Sequence, residues 1–251
     1  MDVYDLSNTQ WNKKSYEEFK EFLYSIRDEE YKKFSERIIP NLGKAIGIRM
    51  PELKKISKSL FKNKDIMSFY NFLEEGDTYE EKIIQGILLP NLPYEDTKEI
   101  FNNIDLYILR IHNWALCDSF VASLKKVVNK NKESFFIRTK KYIRSTNPWE
   151  IRFGLVLLNN YFTDEKHIED IFLMIKYVDN KEYYVTMGMA WLISTCYFVD
   201  NVLTIEFINS DKISKEVRNK SIQKILESKR LSQEEREHIK SIRKNNKNLQ
   251  I

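Results

Sequence analysis

The stretch Asn113-Trp114-Ala115-Leu116-Cys117-Asp118, continued by Ser119-Phe120-Val121-Ala122-Ser123-Leu124, decides how this chain is read. It is apolar, lacks glycine and proline, and shows no alternation of polar and apolar residues, so it reads as a buried helix. Trp114 and Asp118 are four apart and share one face of that helix, a turn from each other. A carboxylate in such a place is costly unless it is paired, hydrogen-bonded or facing a cleft. Either Asp118 braces a neighbouring backbone turn with Trp114 as core filler, or the two residues face an open surface together.

Outward from this helix the chain keeps the same helical character. The 251 residues include only six glycines and five prolines, too few for a sheet with many tight turns. No strand-like alternation occurs, and an all-α fold is expected. Three capping boxes are legible, Ser15-Tyr16-Glu17-Glu18, Thr78-Tyr79-Glu80-Glu81 and Ser232-Gln233-Glu234-Glu235. Pro51 suits the first turn of a helix running to Leu60, and Asn147-Pro148-Trp149-Glu150 opens another that carries Arg152. Further helices are expected from Tyr94 to Phe101 and from Asn113 to Val128. The rhythm gives about fourteen helices, roughly 40 residues to each pair, the period of HEAT-type repeats. The expected architecture is a right-handed solenoid of antiparallel helix pairs, residues 1–251 forming one domain with a concave binding cleft. Residues 1–12 read as an N-terminal extension and 245–251 as a frayed tail.

One spacing bears on the cleft. Trp114 precedes Arg152 by 38 residues, and Arg152 precedes Trp191 by 39. Residues one period apart in a solenoid fall on the same face, so Trp114, Asp118, Arg152 and Trp191 are expected to line it together.

Composition also excludes several classes. Cys117 and Cys196, in apolar surroundings, read as small buried hydrophobes of a reducing cytoplasm. With His112, His167 and His238 at these spacings they build no zinc site, and no metal is expected. The N-terminus has no basic region followed by an apolar core. The longest uncharged run, Tyr183 to Val199, contains Thr186, Gly188, Ser194 and Thr195 and reads as a buried helix, with no membrane partner.

The net charge of +4 hides an asymmetry. Residues 125–152 carry nine Lys/Arg against two Glu, and residues 212–247 carry twelve against five, leaving −10 for the remainder. Two concentrated basic regions suit a polyanion, although solvated lysine-rich helices would look the same.

The chain resembles the AlkD-like DNA alkylation repair family of HEAT-like glycosylases. The resemblance runs from about Tyr31 to Lys244. It is carried by Gly47-Ile48-Arg49-Met50-Pro51-Glu52-Leu53, Tyr79-Glu80-Glu81 with Gly86, Asn113-Trp114-Ala115-Leu116-Cys117-Asp118, Trp149-Glu150-Ile151-Arg152, Tyr183-Tyr184 with Ala190-Trp191-Leu192, and Asn219-Lys220-Ser221-Ile222. Trp11, in the extension, matches nothing in the family.

The resemblance implies that Asp118 is the catalytic carboxylate, with Trp114 and Trp191 beside the reacting sugar. It implies that Arg152, together with Arg49, Lys125 and Lys126, binds DNA. The implied partner is duplex DNA containing N3- or N7-alkylated purines, engaged by a monomer. Such a purine is cationic and leaves without an acid. The deoxyribose gains positive charge as the bond breaks, a carboxylate can offset that charge and orient water, and indole faces suit a cation. No metal or redox cofactor is required. Where better-studied members carry Lys and Arg around the second Trp, this chain has Met187 and Ser194, so that helix offers DNA no cation. The alternative reading is a helical-repeat module that binds DNA or another partner without chemistry.

Overall fold

A computed structural model describes residues 5–248, with side chains described as far as Ile242. Among the described residues there are fifteen α-helices, one 3-10 turn and no strand, so the chain is all-α. No helix among them is long and apolar enough to cross a membrane.

Two compact units divide the chain, Met1–Asn131 and Lys132–Ile251. The first contains α1 (Lys13–Ser25), α2 (Glu29–Ile38), α3 (Met50–Leu60), α4 (Ile66–Glu75), α5 (Tyr79–Leu88), the 3-10 turn Leu89–Asn91, α6 (Thr97–Ile108), α7 (Trp114–Ser123) and α8 (Lys125–Lys130). The second contains α9 (Lys132–Ile143), α10 (Pro148–Tyr161), α11 (Ile168–Ile175), α12 (Tyr183–Cys196), α13 (Asn201–Asn209), α14 (Lys215–Glu227) and α15 (Gln233–Asn248). In each unit alternate helices lie side by side: α3, α5 and α7 in the first, α10, α12 and α14 in the second. That is the packing of a helical repeat, in which each pair buries its apolar face on the next.

The stacked helices are the most apolar. α10 is buried without interruption from Ile151 to Asn159, because α9 and α12 both pack against it. Large side chains fill each core, Phe69, Tyr107 and Phe120 in the first unit and Tyr142, Phe153 and Phe162 in the second. Burial pushes the Cys196 thiol up to about 12, so it stays protonated and inert.

Several helix ends differ from the sequence pattern, each for a local reason. α1 begins at Lys13 because Asn12, not Ser15, is its cap. The Asn12 side chain accepts the Lys14 and Ser15 backbone N–H groups, while Ser15 Oγ accepts the Asn12 N–H. α6 begins at Thr97, where Asp96 accepts the Glu99 N–H at 2.8 Å, and runs on to Ile108. The helix from Asn113 stops at Ser123, whose hydroxyl donates to the carbonyls of Gly86 and Phe120 at 2.7 Å each. A new helix, α8, then starts at Lys125. The boxes at Thr78 and Ser232 form as read. α15 continues to Asn248, past the expected start of the tail, and residues 249–251 lie outside the described residues.

The N-terminal extension is built into the first unit. Trp11 is buried, its ring 4.4 Å from that of Phe69 and edge-on to Phe19. Its backbone N–H donates to Asp65 at 3.0 Å, and the Asn63 amide donates to the carbonyls of Leu6 and Thr9. The strap therefore covers apolar surface that α1 and α4 would otherwise expose.

Candidate functional site

In the first unit the site residues come from α7. Asn113 is fully buried and caps the helix, its Oδ1 accepting the Leu116 N–H at 2.9 Å. That cap makes Trp114 the first helical residue. Ala115, Leu116, Cys117, Phe120 and Val121 then turn into the core. Trp114 and Asp118 are half-buried and Ala122 is exposed. At intervals of four they line the open side of the helix, with Ser119 and Ser123 part-buried beside them. The Trp114 indole N–H donates to the carbonyl of Ile38, the last residue of α2, at 3.3 Å. A carboxylate one turn from an anchored indole can offset positive charge that develops beside it.

In the second unit Arg152 and Trp191 lie on the neighbouring helices α10 and α12. Arg152 is only 6% exposed. Its Nη1 donates to the Tyr184 carbonyl at 2.8 Å, and its guanidinium sits 5.8 Å from the Tyr184 ring centre. Gly188 lets α12 lie close to α10, because a Cβ there would come within 3.2 Å of Leu155 Cδ1. Tyr184 stacks on Trp149 with ring centres 5.5 Å apart. Tyr184, Met187, Trp191 and Thr195 form the less buried side of α12, and Trp191 is the most open of them at 39% exposure. Ser194 is turned away from that side, its hydroxyl donating to the Trp191 carbonyl at 2.7 Å.

The expected DNA-binding cations divide sharply. Lys125 and Lys126 open α8 and are exposed. Arg49 is also on the surface but engaged. Its Nε and Nη2 donate to Asp28 at 3.1 and 2.9 Å, and its guanidinium lies 4.7 Å from the Tyr31 ring centre. The Tyr31 backbone N–H and then the Arg49 guanidinium hold the Asp28 carboxyl below the usual range.

Part of the C-terminal basic region has a structural use. Arg218 donates to the carbonyls of Ile208 and Ser210, at the end of α13. Arg236 does the same for Leu226 and Ser228 at the end of α14, and in the first unit Arg110 does so for Leu73 and Gly76 at the end of α4. Each adds donors to carbonyls at a helix end, where backbone partners run short. Lys224 and Lys240 pair with Glu227 and Glu237, and Arg230 stacks on Phe198 at 4.1 Å.

Two features escaped the sequence reading. One is the Trp149–Tyr184 stack beside Arg152, signalled only by aromatics in the first turns of two apolar helices. The other is Glu80, read as part of a capping box although it lies inside the first unit.

Residues 19–225 match the family model described as DNA alkylation repair enzyme. No curated protein matches the sequence. The matched segment reaches from α1 into α14 and includes Trp114, Asp118, Arg152 and Trp191. The chain belongs to the DNA alkylation repair enzyme family, and its role is the repair of alkylated DNA.

Proposed function

We propose that the protein is a monofunctional DNA glycosylase that hydrolyses the N-glycosidic bond of cationic N3- and N7-alkylated purines in duplex DNA. The observation that carries this reading is the open side of α7, where Asp118 stands one turn from Trp114 while Ala115, Leu116, Cys117, Phe120 and Val121 turn into the core. Asp118 stabilises the oxocarbenium character of the departing sugar and directs the attacking water. Trp114 offers an electron-rich face to the cationic sugar, and Trp191, on the second unit, offers one to positive charge on the substrate; a contact of this kind is worth about 0.5–2 kcal/mol. Lys125, Lys126, Arg49 and Arg152 are assigned to DNA phosphates, with the two lysines supplying most of the long-range attraction.

The test is release of 7-methylguanine from methylated duplex DNA under single-turnover conditions, by the wild type and by Asp118→Asn. The reading requires release by the wild type and its loss in the variant. A folded wild type that binds the duplex and releases nothing overturns it. The second reading, a helical-repeat module that binds DNA or another partner without chemistry, is favoured by α12, which carries no cation beside Trp191, and by Arg152, which is buried against Tyr184.

A further inference from the structure

Glu80 is 1% exposed and lies in the second position of α5. Its carboxylate accepts three consecutive backbone N–H groups of the loop before α3, those of Ile46 at 2.8 Å, Gly47 at 2.7 Å and Ile48 at 3.1 Å. A buried carboxylate is tolerated when its oxygens are satisfied this way. Gly47 can follow the required path because its φ is +102° and a Cβ there would lie 2.6 Å from the Asp28 carbonyl oxygen. The loop in turn grips α2. The Gly47 carbonyl accepts the Asp28 N–H at 2.8 Å, Asp28 caps α2 through the Tyr31 N–H, and Arg49 closes onto Asp28. At its other end α2 presents the Ile38 carbonyl to the Trp114 indole.

We infer that Glu80 is a positioning residue for the site. Its carboxylate fixes the 46–48 loop, the loop fixes the start of α2, and α2 sets the orientation of Trp114. The chain of contacts lies wholly within the first unit, and each link is a hydrogen bond between named groups. A helix of ten residues held rigidly at its N-terminus transmits that position to its last carbonyl. Glutamine at position 80 keeps the shape but loses the charge. It also puts an amide NH2 where one carboxylate oxygen stood, facing the Ile46 donor or the Gly47 and Ile48 pair, so the loop cannot be held as before.

The importance of Trp114 rests on the proposed glycosylase reading, and the experiment keeps the two claims apart. The indole N–H resonances of the four tryptophans are assigned with single Trp→Phe variants, then compared between wild type and Glu80→Gln. The expected result is a displaced Trp114 resonance with those of Trp149 and Trp191 unmoved. Single-turnover base release should fall by about 10- to 100-fold, the order expected from misplacing a contact group by about 1 Å. An unmoved Trp114 resonance in folded Glu80→Gln overturns the inference, whatever the activity. Should that variant not fold, Arg49→Gln, which removes the Asp28 ion pair and the Tyr31 stack at the same end of α2, decides the matter by its resonance alone, since Arg49 is also assigned to phosphate: the Trp114 signal must again move, by less. If the wild type releases no base while the resonance moves as expected, positioning stands and the glycosylase reading falls.

Discussion

α7 and α12 are built alike and equipped differently. Both are almost wholly apolar, and both carry a tryptophan on their less buried side. One turn beyond Trp114 stands a carboxylate, Asp118, whereas one turn beyond Trp191 stands Thr195, with Met187 one turn before. Trp114 is half-buried and anchored to Ile38 through its indole N–H, while Trp191 is 39% exposed. The difference separates two jobs. α7 carries a group able to act on charge in a reaction, and α12 carries surface able to touch a substrate.

The largest expected effect tests that division at Asp118. Asp118→Asn keeps the shape and removes the charge that, on the proposed glycosylase reading, offsets the developing cation. Electrostatic stabilisation of this kind is worth roughly 2.7–4 kcal/mol, so release of 7-methylguanine should fall by about 100- to 1,000-fold. Binding to undamaged duplex and the melting temperature should change little. A carboxylate serving only to brace the backbone gives the reverse, a lower melting temperature with activity retained per folded molecule.

The two tryptophans come next. Trp191→Ala should slow base release by about 2- to 30-fold, the value of one cation–π contact, with the melting temperature near that of the wild type. Trp114→Ala should slow it at least as much and also lower the melting temperature, because the indole links α7 to α2. Thermal melting of both variants checks this. Equal melting temperatures would erase the distinction between an anchored and an open tryptophan.

How much of this could be read from the sequence follows from what kind of physics sets each feature. Periodicity and caps are local, so the all-α class, the box at Thr78 and the proline start of α10 were legible. The break after Ser123 was not; there the Ser123 hydroxyl bonds a carbonyl 37 residues away, at Gly86, which no local pattern announces. That Trp114 and Asp118 share one side of α7 was legible from their spacing. The engagement of Arg49 with Asp28, the capping by Arg218 and Arg236, and the clamp at Glu80 were hidden. Each joins groups distant in sequence or turns a surface-type residue inward, and composition counts such a cation or carboxylate as though it faced solvent.

That distinction fixes the expected salt dependence. Lys125 and Lys126 are exposed, so Lys125→Ala and Lys126→Ala should each lower the slope of log affinity against log salt by about one. Arg218→Gln and Arg236→Gln should leave the slope unchanged and cost stability, since both side chains are spent on helix ends. Binding titrations across a salt series distinguish the two classes. An equal loss of slope from Arg218→Gln would show that the capping arginines also reach phosphate.

The smallest effect is a gain, and it asks whether α12 touches DNA at all. Met187 is half-buried one turn before Trp191, and a lysine there can lay its stem along the apolar side and carry its ammonium to water. Ser194 is the poorer place for a cation, being 7% exposed and bonded to the Trp191 carbonyl, so a long charged side chain there would strain the packing. If α12 lies against the duplex, Met187→Lys adds one phosphate contact. Affinity for undamaged DNA should rise by about 1 kcal/mol, roughly fivefold, and the salt slope should steepen by about one. Base release at saturating enzyme should not change, because the added charge touches the backbone and not the departing base. A variant that binds no better than wild type at low salt places α12 away from the phosphates. Trp191 then loses its proposed role, and Asp118 and Trp114 are left to carry the reaction with the lysines of α8.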